Sequence, residues 1–152
     1  MQLQVLKELQ KALTETFDVL VCKHRMAAKQ SDKDRKDGNR QMLKVYGADI
    51  CRDCMAMKKI FADKEVEYEY MDFILNTANM REFFAIRDHA AIYEDVRNRE
   101  GGGIGIPLFV KGDRMSFDIN EALRWEGKEP VEASEYEQIA ERMGEFIKLQ
   151  RV

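Results

Sequence analysis

Apolar side chains recur at three- and four-residue intervals over much of this chain, and in one stretch they alternate with acids. Leu6, Leu9, Leu13, Phe17, Leu20 and Val21 follow the helical period and predict one amphipathic helix over residues 3–28. Residues 31–40 (Ser-Asp-Lys-Asp-Arg-Lys-Asp-Gly-Asn-Arg) hold no apolar side chain and read as a charged linker, with a boundary near Gln41. A short strand over 42–46 and a turn at Gly47-Ala48-Asp49 come next. The spacing then predicts a helix over 51–63, with Met57, Ile60 and Phe61 facing inward. Over 66–73, Val66, Tyr68 and Tyr70 alternate with Glu65, Glu67 and Glu69, the pattern of a half-buried strand. One long helix is expected over 76–99. Asn76 or Thr77 would cap it, and Met80, Phe83, Phe84, Ile86 and Ala90 would form its packed side.

The glycine-rich run 101–105 leads into Ile106-Pro107 and a hairpin, with strands at 108–111 and 114–117 and a Gly112-Asp113 turn. Asp118 is placed to cap a helix ending near Trp125, and Pro130 closes that module. Residues 132–150 form a last amphipathic helix with Tyr136, Ile139, Met143, Phe146 and Ile147 on one face. The chain thus divides into a helix and linker (1–40), a folded domain (41–130) and a C-terminal helix (131–152). Within the domain, strand–helix–strand predicts a parallel pair with a right-handed connection, and the hairpin adds antiparallel strands. The expected class is α/β, with a mixed four-stranded sheet flanked by helices.

Composition narrows the function classes. The length of 152 residues suits one domain with additions, and 45% apolar residues supply a core. A net charge of -3 argues against a nucleic-acid partner. No run is long and apolar enough to span a membrane, so no membrane association is expected. The first residues carry Glu8 and lack a continuous apolar stretch, so no secretory signal is expected. Three cysteines, an odd count, fit free thiols in a reducing cytoplasm better than a disulfide framework.

Two of those cysteines carry the chemistry. Cys51 and Cys54 flank Arg52-Asp53 at a strand-to-helix junction. A sulfur at a helix N-terminus meets unpaired backbone N–H groups and the positive end of the helix dipole, and both favour the thiolate. The dipole supplies about 0.3–1 kcal/mol, up to ~2 when partly buried. One pKa unit is about 1.36 kcal/mol, so the dipole lowers an ordinary thiol by roughly one unit. Arg52 is expected to add to this, and Asp49 and Asp53 to oppose it. A mildly activated Cys51 nucleophile results, with Cys54 as the more buried resolving thiol.

Other readings stand beside this one. Cys22 and His24 with Cys51 and Cys54 make four potential zinc ligands, but residues two apart on a helix do not face one another. His24 and His89 read as surface or packing histidines. The glycine run lacks the Lys-Ser/Thr of a phosphate loop and precedes a strand, so it reads as a turn. Met55, Met57, Met71 and Met80 read as core residues.

Residues 42–127 resemble a glutaredoxin-like member of the thioredoxin fold. The resemblance rests on the strand ending at Gly47, Cys51-x-x-Cys54 at a helix start, Ile106-Pro107 opening a strand, the following hairpin and the short closing helix. It implies a dithiol–disulfide oxidoreductase in which Cys51 and Cys54 are catalytic, with no bound cofactor. It implies a cis peptide bond at Ile106-Pro107, with Ile106 offering its backbone to an extended substrate and Pro107 keeping that edge free. Arg52 joins them as a substrate-contacting residue. Disulfide-containing proteins or glutathione are the implied partners, with glutathione or a protein reductase as electron donor. The chain departs from the family in having no Lys just before Cys51, Arg52-Asp53 between the cysteines, and Ser116-Phe117 where a Gly-Gly pair is usual. A thioredoxin-fold binding module without turnover and a metal or iron–sulfur site are the alternatives. The helices outside the domain are not explained by the resemblance.

Overall fold

The computed structural model describes residues 41–150. The helix expected over 3–28, the charged segment 31–40, Cys22 and His24 lie outside the described residues. In chain order the elements are β1 (Leu43–Gly47), α1 (Arg52–Asp63), β2 (Tyr68–Asp72), α2 (Thr77–His89), a 3-10 turn (Ala91–Tyr93), α3 (Glu94–Asn98), β3 (Leu108–Lys111), β4 (Arg114–Ser116), α4 (Ile119–Trp125) and α5 (Ala133–Leu149).

The strands form one mixed sheet in the order β2-β1-β3-β4. β1 and β2 run parallel with Val45 opposite Tyr70, as the strand–helix–strand order requires. β3 runs antiparallel to β1 with Leu108 opposite Tyr46, and β4 returns along β3 with Ser116 opposite Phe109.

Period-two alternation sends neighbouring strand residues into two different cores. Leu43, Val45 and Phe109 pack with Met57, Ile60 and Phe61 of α1, and with Ile119, Ala122 and Leu123 of α4. Tyr46, Met71 and Leu108 pack on the other face with Phe83 of α2, Tyr93 and Val96. Aromatic contacts anchor each layer. Phe61 meets Tyr68 edge-on at 5.2 Å, and Phe83 stacks on Phe73 at 4.6 Å.

Local signals behave as the sequence predicts at two caps. The Asn76 side chain accepts the Ala78 N–H at 2.8 Å, and the Asp118 side chain accepts the Asn120 N–H at 2.8 Å. The expected single helix over 76–99 is instead broken. Ala90 is extended (φ -71°, ψ 137°), and the chain resumes as a 3-10 turn and the short α3. The side chains absorb the break. Arg97 Nη1 donates to the Arg87 and Ala90 carbonyls at 2.5 and 3.1 Å. Tyr93 turns fully inside, where its hydroxyl donates to the Gly105 carbonyl at 2.6 Å. Phe84, expected on the packed side, is 47% exposed. Adjacent helical residues lie about 100° apart, so Phe83 takes the core position and Phe84 cannot share it.

α5 packs along α1. Its entry is set by Asn120, whose side-chain amide donates to the Val131 carbonyl at 3.0 Å while its oxygen accepts the Val131 N–H at 2.8 Å. Among the described residues no helix is long and apolar enough to cross a membrane.

Candidate functional site

The C-terminal ends of β1 and β2 and the N-terminal end of β3 meet at one end of the sheet. After Gly47 the chain turns sharply, with the Cys51 N–H donating to the Ala48 carbonyl at 3.0 Å. Cys51 then forms the N-cap of α1 in extended geometry (φ -98°, ψ 123°), and its carbonyl receives the Met55 N–H at 3.1 Å. The two sulfurs thus sit on the first turn of α1, as the motif predicts.

Their environments differ sharply. Cys51 is half-buried and Cys54 is fully buried; both are free thiols. The Cys54 thiol donates toward Cys51, which lowers the Cys51 pKa from an ordinary 9.0 to about 7 against the opposing effect of burial. The backbone N–H groups of Cys54 and Asp53 add to the lowering, and the Asp53 charge resists it. The Cys51 sulfur makes no side-chain cap bond of ordinary geometry, so those N–H groups act by proximity. Cys54 moves the other way. Its hydrogen bond to Cys51 and its burial hold its proton firmly. Cys51 is therefore biased toward the thiolate while its neighbour is biased toward the protonated thiol.

The floor of the site is made by Gly47. A Cβ there would come within 2.8 Å of Cys54 Sγ and 2.9 Å of Tyr70 Oη, so only glycine leaves room for the buried sulfur. Burial foremost, with the charges of Asp49 and Asp72, pushes the Tyr70 hydroxyl up. That hydroxyl is buried without a hydrogen bond of ordinary geometry, although Asp49 lies near it. Lys58 Nζ pairs with the Asp49 carboxylate and sits 3.8 Å from the centre of the Tyr70 ring. This corrects one expectation. Asp49 was expected to oppose the Cys51 thiolate, but its charge is met by Lys58, and Asp53 is the acid that acts on the sulfur.

Arg52, expected to favour the thiolate and to contact substrate, has ion-pair partners of its own. Its exposed guanidinium lies 3.0 Å from Glu137 Oε1 and 3.9 Å from Asp53 Oδ2. Asp53 in turn accepts a hydrogen bond from Tyr136 Oη at 3.1 Å. Both residues between the cysteines are held by consecutive residues of α5.

Ile106 and Pro107 precede β3, so the Leu108–Tyr46 register brings them to the same sheet end as the 48–51 turn. Their peptide bond is cis, with Ile106 half-buried and Pro107 buried. The loop before them is pinned from the second core. Arg87 Nη2 donates to the Gly103 carbonyl at 2.7 Å, and Tyr93 holds Gly105. Gly105 has φ +75°, and a Cβ there would lie 2.5 Å from Tyr93 Cε1.

Among the described residues, no three His, Cys, Asp or Glu side chains are grouped to hold a metal ion. Sequence reasoning missed Gly47, Lys58, Tyr70, Tyr136 and Glu137 as parts of the site. Gly47 had a signal, a glycine closing a buried strand just before the motif. Tyr136 lies 83 residues from Asp53 and had none. No protein-family model, curated protein or solved structure matches the chain.

Proposed function

We propose that this chain is a small dithiol–disulfide oxidoreductase with a thioredoxin-like fold of glutaredoxin type. One observation carries the reading: two free thiols, Cys51 half-buried at the N-cap and Cys54 fully buried, share the first turn of α1, an arrangement that lowers the pKa of the first and raises that of the second. Sheet order β2-β1-β3-β4, with one parallel pair and a terminal hairpin, supports the fold assignment, as does the placement of Ile106-Pro107 at the same sheet end as the cysteines.

The chemistry follows from the asymmetry. The Cys51 thiolate attacks one sulfur of a substrate disulfide R–S–S–R′, breaks that bond, forms Cys51–S–S–R and releases R′S⁻. Cys54 then loses its proton to solvent and attacks Cys51 Sγ. This breaks the mixed disulfide, forms the Cys51–Cys54 disulfide and releases RS⁻. The substrate has gained two electrons and the protein has lost two. A dithiol reductase, or two glutathione molecules that leave as glutathione disulfide, restores them. Near neutral pH the low Cys51 pKa supplies the nucleophile, and the protonated, buried Cys54 leaves the attack on substrate to Cys51. We place this chemistry in the reducing cytoplasm.

A second reading has an observation of its own. Glu137 and Tyr136 already engage Arg52 and Asp53, leaving the motif's polar residues little freedom to meet a substrate. A thioredoxin-fold binding module without turnover accommodates that arrangement. Reduction of a glutathionylated peptide and of an insulin-type disulfide separates the two. The enzyme reading expects turnover with at least one and its loss in Cys51→Ser. No turnover with either, and partner binding unchanged in Cys51→Ser, would reject it for the binding module.

A further inference from the structure

The residues between two redox cysteines are the nearest fixed charges to the attacking sulfur. Here they are a base and an acid, and neither is free. Tyr136 Oη donates to Asp53 Oδ1 at 3.1 Å, and Glu137 Oε1 lies 3.0 Å from Arg52 Nη1. Tyr136 is half-buried, whereas the Arg52 and Glu137 side chains are largely in solvent. The two α5 residues are adjacent in sequence, yet they meet charges of opposite sign. α5 also passes the Arg52 stem two turns further on, where a Cβ added at Gly144 would lie in ordinary contact, 3.7 Å from the Arg52 Cβ and Cδ.

We propose that Tyr136 and Glu137 of α5 are positioning residues for the thiol site, a clamp on Arg52 and Asp53 that sets how much of each charge reaches Cys51 Sγ. Tyr136 holds the Asp53 carboxylate by hydrogen bonding and blunts its repulsion of the thiolate. Glu137 neutralises Arg52 and withholds the attraction that a free guanidinium would exert. The clamp therefore works in two opposed directions from one helical turn. Other groups around the sulfur leave this balance exposed. Cys54 is neutral, and the Asp49 charge is met by Lys58. The inference rests on the redox reading for its biological meaning, but its physical content concerns the Cys51 thiol alone.

The test is the pH profile of iodoacetamide alkylation of reduced, full-length protein. Trypsin cuts after Arg52, so Cys51 and Cys54 fall in different peptides and mass spectrometry follows Cys51 alone. Tyr136→Phe removes only the hydroxyl and is expected to raise the Cys51 midpoint. Glu137→Gln removes only the charge and is expected to lower it. Exposed pairs are weakly coupled, so each variant should change the thiolate-to-thiol ratio by only roughly 1.5- to 5-fold, in opposite directions. The gap between the variants should narrow in ~1 M salt, where the screening length is about 3 Å. General damage to α5 packing would move both variants the same way. Shifts of the same sign, or no shift in either, overturn the clamp. Opposed shifts in a protein without disulfide turnover would leave the clamp standing and remove the redox reading; turnover without opposed shifts would do the reverse.

Discussion

Removing the Cys54 thiol tests the central asymmetry directly. The Cys54 hydrogen bond is the largest influence lowering the Cys51 pKa to about 7; the Cys54 and Asp53 N–H groups are secondary. A hydrogen bond to a charged group contributes about 1.5–3 kcal/mol, and S–H is a weak donor, so the low end applies. At about 1.36 kcal/mol per unit, Cys54→Ala should raise the Cys51 midpoint by roughly one unit. The thiolate fraction at pH 7 then falls from about half to roughly a tenth. A more basic thiolate is also more nucleophilic, by roughly threefold per unit at a Brønsted slope of about 0.4–0.5. The alkylation rate at neutral pH should therefore drop only about twofold, too little to judge from one pH. The assay is the full pH profile of Cys51 alkylation, with thiolate absorbance as a second reading. Cys54→Ser keeps a donor and should shift the midpoint less than Cys54→Ala. An unshifted or lowered midpoint in Cys54→Ala would refute the assignment of Cys54 as the donor. Equal shifts in both variants would refute the hydrogen-bond mechanism.

Gly47→Ala should destabilise the fold by about 1–3 kcal/mol, read as a lower urea midpoint, because its Cβ meets Cys54 Sγ and Tyr70 Oη in a packed core. Asn120→Ala leaves the Val131 N–H and carbonyl without their partner and should cost about 1–3 kcal/mol in the same measurement. Phe61→Ala, at a fully buried position between sheet and α1, should cost about 3–5 kcal/mol. Stability should also fall above pH 10. Burial raises the hydroxyl pKa values of Tyr46, Tyr68, Tyr70 and Tyr93 above their ordinary 10.0. The unfolded chain therefore releases these protons first, and the stability present below pH 10 is lost as pH rises toward the folded values. Urea midpoints that stay constant from about pH 8 to about pH 11 would contradict that sign.

Local physics made much of the domain readable from residues alone. Period-two and period-3.6 patterns located β1, α1, β2, the hairpin and α5 to within a residue or two. Asn76 and Asp118 act as the caps their side chains suggested. Cys51-x-x-Cys54 at a strand-to-helix junction placed one sulfur at a helix N-terminus, because a cap position depends only on neighbours in sequence. The pattern over 76–99 misled because helical periodicity does not register a single extended residue. The break at Ala90 exists because Tyr93 and Arg97 find carbonyl partners in the turned conformation. Asp53 opposes the Cys51 thiolate as its place in the motif suggested, but packing decided the part played by the other nearby charges. Counting neighbours in sequence assigned Asp49 as an opponent and Arg52 as an ally, whereas Lys58 meets the first and Glu137 the second. Electrostatic influence falls with distance through space, and the sequence records distance only along the chain. The sequence by itself determined that two thiols would open a helix at the end of a buried strand. The tertiary structure decided that Cys54 would lie beneath Gly47 and keep its proton, and that α5 would return across 83 residues to hold the dipeptide between the sulfurs.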